Sequence, residues 1–133
     1  MSTQTNITTG QVVAGATAAF TANLRKLDGT SFTPYDISAI AVTVYDLGQF
    51  NGAKASKVEG YDNKTLAVRS VMFQPTEKTY AGKTYTRNFE WIPPVDESPF
   101  KSAGHFYKVI ITFTVASNLN DICSPLVFQV KAI

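Results

Sequence analysis

The chain has 133 residues and a mass of 14.5 kDa, the size of one ordinary domain. Charged residues make up 17% of it and leave a formal net charge of +2, while 44% of the residues are hydrophobic, which excludes a disordered polyelectrolyte. The single cysteine, Cys123, cannot form an internal disulfide, which excludes the disulfide-stapled class of small domains. The polar opening has no signal-peptide pattern, and no apolar stretch approaches the ~20 residues that span a bilayer. We therefore expect synthesis in a cytoplasm and no membrane partner.

Apolar residues alternate with a period of two along much of the chain, which is typical of β-strands. In chain order, strands are predicted near residues 11–14, 18–27, 40–45, 66–71, 88–91, 104–116 and 126–133. A turn is predicted at Asp28 and Gly29, and Phe89 and Trp91 share a strand face that we expect to lie in the core. The nearest candidate for a helix is the short stretch 53–59.

About seven short strands separated by Gly, Pro, Asp and Asn clusters predict an all-β fold, an antiparallel two-sheet sandwich with Greek-key connections. Residues 11–133 are predicted to form this single domain, and residues 1–10 a polar N-terminal arm. Segments 48–64, 74–83 and 93–103 are predicted to be loops longer than hairpins need. Binding residues usually reside in such loops.

Five segments in order carry a resemblance to a known group of domains: FTANLRKLDG (20–29), DISAIAVTV (36–44), NFEWI (88–92), AGHFY (103–107) and LVFQV (126–130). Together they resemble the small immunoglobulin-like β-sandwich domains of tailed-phage virion proteins, including tail and baseplate components. The resemblance covers most of the chain from about Gln11 onward. It implies an immunoglobulin-like sandwich with a structural or adhesive role in a virus particle, and it transfers no catalytic residue.

Catalytic and metal chemistry has little material in this sequence. The one histidine, His105, is expected at a strand edge, and Cys123 is expected to be a packed thiol, although a Cys–His pair is the alternative. Asp96 and Glu97 share a Pro-bounded loop in which a calcium ion is a second alternative. The basic residues are scattered without interleaved aromatics, so nucleic acid is not an expected partner. We expect no enzyme activity and no cofactor.

Loop aromatics and the N-terminal arm are the candidate interface residues. They are Thr3, Gln4, Asn6, Phe50, Tyr61, Tyr80 and Tyr85. A protein interface is favoured over sugar stacking for these aromatics. The sequence hypothesis is a non-enzymatic structural protein of a bacteriophage virion, specifically an accessory or decoration protein on the capsid, with capsid or tail subunits and further copies of itself as partners. The alternatives are a neck, tail or baseplate component, or a module that binds a host-surface glycan.

Overall fold

A computed structural model describes residues 7–49 and 55–133 of the chain. Their strands are β1 (Ile7–Val12), β2 (Phe20–Ala22), β3 (Ile37–Gly48), β4 (Ser56–Lys57), β5 (Lys64–Leu66), β6 (Met72–Tyr80), β7 (Lys83–Trp91), β8 (Phe106–Val115) and β9 (Leu126–Ala132). One helical turn, α1 (Val68–Val71), precedes β6, and a 3-10 turn (Val95–Glu97) follows β7.

The strands form two packed sheets, so the predicted all-β sandwich is confirmed. One sheet has the order β1-β9-β8-β3-β4, with β5 also paired to β3, and the other has the order β2-β7-β6. The pairing of β1 with β9 is parallel, whereas the other strand pairs are antiparallel. The chain therefore crosses between the sheets after β1, after β2, before β6 and after β7.

The core lies between the sheets and is rich in aromatic rings. Alternate residues of β8 are buried, as their period of two predicted, and so are those of β3. Phe89 of β7 meets Phe113 of β8 edge-on with ring centroids 5.3 Å apart, which joins the two sheets. Trp91 is only 5% exposed and lies 5.5 Å from the ring of Phe20, so its predicted core position is confirmed.

Two of the predicted elements are wrong in kind. The strand predicted at 66–71 ends at Leu66, and α1 follows because a helical turn brings Val68 and Val71, three residues apart, onto one inward face. The loop predicted at 74–83 is instead a hairpin of β6 and β7. Its two-residue turn has positive φ at Ala81 (50°) and Gly82 (77°), the conformation of the tight hairpin turns that match strand twist.

The boundary predicted at residue 10 and the helix candidate 53–59 also differ from the structure. Strand β1 begins at Ile7, opposite Val127 of β9, so residues 7–10 belong to the sheet and the boundary predicted at residue 10 falls inside a strand. Within the helix candidate 53–59, Ser56 and Lys57 pair with β3 as strand β4, and residues 53 and 54 lie outside the described residues. Main-chain pairing with an adjacent strand decides the conformation of both segments.

Candidate interaction surface

Three segments meet at one end of the sandwich, which we call the loop end. They are the β2–β3 loop (23–36), the β8–β9 loop (116–125) and the outer half of the β6–β7 hairpin (76–87). The register places them together, because Ile37 pairs with Val115 and Ala22 pairs with Phe89. The backbone N–H of Ala116 also donates to the carbonyl oxygen of Asp36 at 2.8 Å.

The β2–β3 loop has a defined tip. An isolated bridge joins Arg25 to Ser31, and the side chain of Asp28 accepts the backbone N–H of Thr30 at 2.9 Å. Gly29 takes a φ of 89°, which a glycine adopts without steric cost. The predicted turn at Asp28 and Gly29 is therefore confirmed, and Leu27 lies beside it.

A buried asparagine holds this loop to the sheet. Asn88 on β7 is fully buried, and its Oδ1 accepts the backbone N–H of Leu24 at 2.7 Å. Its Nδ2 donates to the carbonyl oxygens of Leu24 at 2.9 Å and of Phe32 at 2.8 Å. These three hydrogen bonds satisfy buried backbone groups on both arms of the loop, so the loop is positioned by the sheet.

A second polar anchor lies where the loop returns to β3. The carboxylate of Asp36 accepts the backbone N–H of Thr33 at 2.8 Å and lies 3.2 Å from Lys26 Nζ. Burial acts to raise the pKa of Asp36, but the hydrogen bonds from Thr33 and Lys26 outweigh it, so the pKa falls below its ordinary value. The ionised carboxylate thus closes the base of the loop.

Large apolar side chains are exposed at the loop end. Leu27 is 78% exposed, Ile122 71% and Tyr35 70%, the highest values for large hydrophobic residues in the described part of the chain. The backbone N–H groups of Leu27 and Ile122 both donate to Oδ1 of Asp121, at 3.2 and 2.8 Å, so one carboxylate joins the tips of two loops. Leu27 and Ile122 therefore present apolar side chains from two loops that are joined at Asp121, which makes them candidates for an interaction site. The ring of Tyr35, on the same β2–β3 loop, lies 5.1 Å from the guanidinium carbon of Arg69.

The β6–β7 hairpin extends beyond the sandwich at the same end. Residues 74–77 and 82–85 are exposed, so the outer half of the ribbon has solvent on both faces. The three outermost residue pairs, from Lys78–Tyr85 to Tyr80–Lys83, make a projection of about 10 Å at the usual rise of a strand, whereas Arg87 nearer the sheet is buried. A two-stranded ribbon is marginally stable by itself, so contact with a partner would stabilise it.

The candidate interface residues have different locations. Tyr85 lies on the hairpin and is half exposed, and Tyr80 lies on the same hairpin, paired through its backbone with Lys83. Thr3, Gln4, Asn6 and Phe50 lie outside the described residues.

The prediction that Tyr61 is an exposed interface residue is wrong, because only 4% of the residue is exposed. Its hydroxyl donates to the carbonyl oxygen of Glu97 at 2.6 Å, and its ring packs 6.1 Å from that of Trp91. Burial, with the nearby charges of Glu97 and Asp96, raises the pKa of Tyr61. Tyr61 therefore stabilises the fold and is unavailable to a partner.

Sequence reasoning missed Leu27, Tyr35 and Ile122. The available signal was their position beside turn residues, where no strand can bury an apolar side chain: Leu27 precedes Asp28 and Gly29, and Ile122 follows Asp121.

The two nucleophile and base candidates lie far apart. His105 precedes β8 and its Nδ1 lies 3.0 Å from Oδ1 of Asp46, whereas Cys123 is buried beside the start of β9. The carbonyl oxygen of His105 accepts the N–H of Ala132 at the other end of β9, so about 20 Å of strand separates the two residues. The alternative of a Cys–His pair is therefore wrong.

Within residues 7–49 and 55–133, no three His, Cys, Asp or Glu side chains are grouped so as to hold a metal ion. The same part of the chain has no helix of the length and apolarity needed to cross a membrane. Comparisons with family models, with curated proteins and with solved structures give no match to this chain.

Proposed function

We propose that this chain is a non-enzymatic structural protein of a bacteriophage virion, an accessory or decoration protein that docks on the capsid through its loop end. The observation that carries the proposal is the exposure of Leu27 and Ile122, on two loops joined by Asp121, at the same end of the sandwich as the tip of the β6–β7 hairpin. A sandwich that worked alone would gain no stability from apolar side chains held in water. A docking protein gains affinity by burying them.

The strand order supports the immunoglobulin-like part of the proposal. Strands β2, β7 and β6 form one sheet and β3, β8 and β9 lie adjacent in the other, which is the partition expected of an immunoglobulin-like sandwich. The resemblance of segments 20–29 and 88–92 to phage virion domains falls on strands that position the loop end.

The energetics of the loop end also favour docking to a protein. Full burial of a leucine or isoleucine side chain contributes about 1.5–3 kcal/mol, so Leu27 and Ile122 can anchor an interface between them. The bonds from Asn88 and Asp121 hold the two loops before binding, which reduces the ordering entropy that association would cost.

The experiment uses particles of the phage whose genome encodes the chain, with the protein removed and then added back. Purified protein is mixed with these particles, sedimented and quantified. Leu27→Asp and Ile122→Asp are each expected to weaken binding at least about tenfold, since each removes an apolar anchor and adds a charge to be desolvated. Val95→Asp is the matched control, because Val95 is 62% exposed at the opposite end of the sandwich.

Three results would count against capsid docking. Equal binding by the loop-end variants and the control would remove the loop end from the interface. Gold-labelled antibody found at the neck, tail or baseplate would assign the chain to those parts of the particle. Binding on a glycan array that the Tyr85→Ala variant abolishes would favour the glycan-binding alternative; tryptophan emission cannot report this, since Trp91 is buried.

A further inference from the structure

The edge strand β1 lies on a side of the sandwich that carries no charged side chain in β1 or β2. The first charged side chain of the sequence is that of Arg25, so β1, β2 and the connection between them carry none. Strand β1 pairs with β9 on one side, and no other described strand pairs with its outer side. Residues Thr8–Gln11 are exposed. We call this outer side of β1 the uncharged edge.

The edge strands β6 and β4 carry features that normally prevent strands of different molecules from pairing, and the edge strand β2 is only three residues long, which limits pairing in another way. β6 contains Pro75 and Glu77, and Lys57 of β4 forms an ion pair with Asp62 at 2.9 Å. β1 contains neither charge nor proline, and its pairing with β9 runs through six consecutive residue pairs without a bulge. An exposed, regular and uncharged edge offers a row of backbone N–H and C=O groups to another strand.

The space beside the uncharged edge is also free of charge. A groove runs between β1 and β2, lined by exposed Thr8–Gln11 on one side and Ala18–Thr21 on the other. Phe128 and Val130 of β9 contribute its apolar surface. A strand added to β1 would therefore meet hydroxyl, amide and apolar groups and would desolvate no charged side chain.

We propose that a second copy of this chain binds here, with the two β1 strands paired antiparallel about a twofold axis. Identical edges that meet in an isologous contact must run antiparallel. Residues 7–12 can pair with themselves in any such register without placing like charges opposite each other. The same pairing between two β6 strands centred on residue 77 or 78 would place Glu77 opposite Glu77 or Lys78 opposite Lys78, which is destabilising. The uncharged edge is thus self-complementary and β6 is not.

The proposal is independent of a particle and is tested on the purified protein by analytical ultracentrifugation. The unmodified chain is expected to sediment as a dimer of twice the 14.5 kDa protomer mass. Thr9→Lys and Thr9→Glu should each weaken self-association at least about tenfold, because each places like charges across the twofold axis. An equimolar mixture of the two variants should restore the dimer through the opposite charges. Thr114→Lys is the matched control, since Thr114 is exposed on β8 in the middle of the same sheet.

A monomeric unmodified chain would overturn the proposal, as would dimers that survive both Thr9 substitutions. Monomeric variants that fail to recombine in the mixture would also refute antiparallel pairing of β1. Amide hydrogen exchange on the unmodified chain keeps the test valid if the variants fold poorly. Protection of residues 8–11 should increase with protein concentration, and a protection that is independent of concentration would refute pairing at this edge.

Discussion

Replacement of Asn88 by alanine is expected to destabilise the protein severely and to release the β2–β3 loop. The substitution leaves two buried backbone groups without partners, the N–H of Leu24 and the C=O of Phe32, while the C=O of Leu24 keeps the backbone N–H of Phe32 at 2.9 Å. Leaving one such group unsatisfied costs about 1–3 kcal/mol, and since the losses overlap we expect a total of about 2–4 kcal/mol. This is at the upper end of what single substitutions usually cost.

Urea unfolding of Asn88→Ala and of the unmodified chain measures this loss, with the slope of the transition expected to stay unchanged. Asn23→Ala is the matched control, because Asn23 is a half-buried asparagine with one side-chain hydrogen bond, from the hydroxyl of Ser31 at 3.0 Å. It should lose about 0.5–1.5 kcal/mol. In native-state exchange, the amide of Leu24 should lose protection in Asn88→Ala and keep it in the control.

Asn88→Asp separates hydrogen bonding from packing, since the two side chains have the same shape. An ionised aspartate cannot donate to the two carbonyl groups, and burial disfavours its charge. Burial raises the pKa of the introduced carboxyl in the folded state, so the stability of this variant should increase as the pH falls through the acid range. A loss below about 1.5 kcal/mol for Asn88→Ala would show that the loop is held by other contacts and would refute the reasoning.

Three further predictions concern the core, the free thiol and the hairpin tip. Trp91→Ala should lower the free energy of unfolding, measured by urea unfolding, by about 3–5 kcal/mol. In the unmodified chain the emission of Trp91 should be that of a buried indole, and emission like that of free indole would contradict the strand register. Burial, with the charge of Asp121, raises the pKa of the Cys123 thiol from its ordinary 9.0 to about 11. The free energy of unfolding should therefore decline as the pH rises from 9.0 towards 11. Alkylation of Cys123 in the native state as fast as in urea would contradict this burial. Ala81→Asn should stabilise the hairpin by about 1 kcal/mol, because asparagine tolerates a positive φ better than alanine. Slower amide exchange in β6 would confirm this, and an unchanged rate would argue against the turn conformation.

The long strands could be predicted from sequence because one of their faces is buried. Every second residue of β8 from Tyr107 to Phe113 is apolar and buried, since the inner face of the strand meets the opposite sheet. The outer half of the β6–β7 hairpin has no buried face, so residues 74–83 show no alternation and were predicted to be a loop. A periodicity argument detects packing against a partner within the chain, and this hairpin projects away from such a partner.

The candidate site was only partly predictable for a related reason. Aromatic residues in segments without alternation carry no signal that distinguishes a buried from an exposed side chain. Tyr61 is buried because Trp91 and the backbone of Glu97, which lie thirty or more residues further along the chain, complete its surroundings. Leu27 and Ile122 are exposed because both adopt loop backbone held by Asp121, a contact between distant segments. Long-range contacts of this kind are decided by topology, which the local pattern does not contain.

The two proposed surfaces constrain each other through the direction of β1. The strand runs away from the loop end, because Ile7 pairs with Val127 at the start of β9 and Val12 pairs with Ala132 near its end. Antiparallel pairing of two β1 strands therefore directs the two loop ends to opposite poles of a dimer. One pole can dock on a capsid while the other faces outward, so each capsid site should hold two chains. Thr9→Lys should therefore halve the number of chains bound per particle at saturation without weakening docking at the loop end. An unchanged number would mean that β1 is not paired on the particle, whereas a loss of docking itself would place β1 in the contact with the capsid.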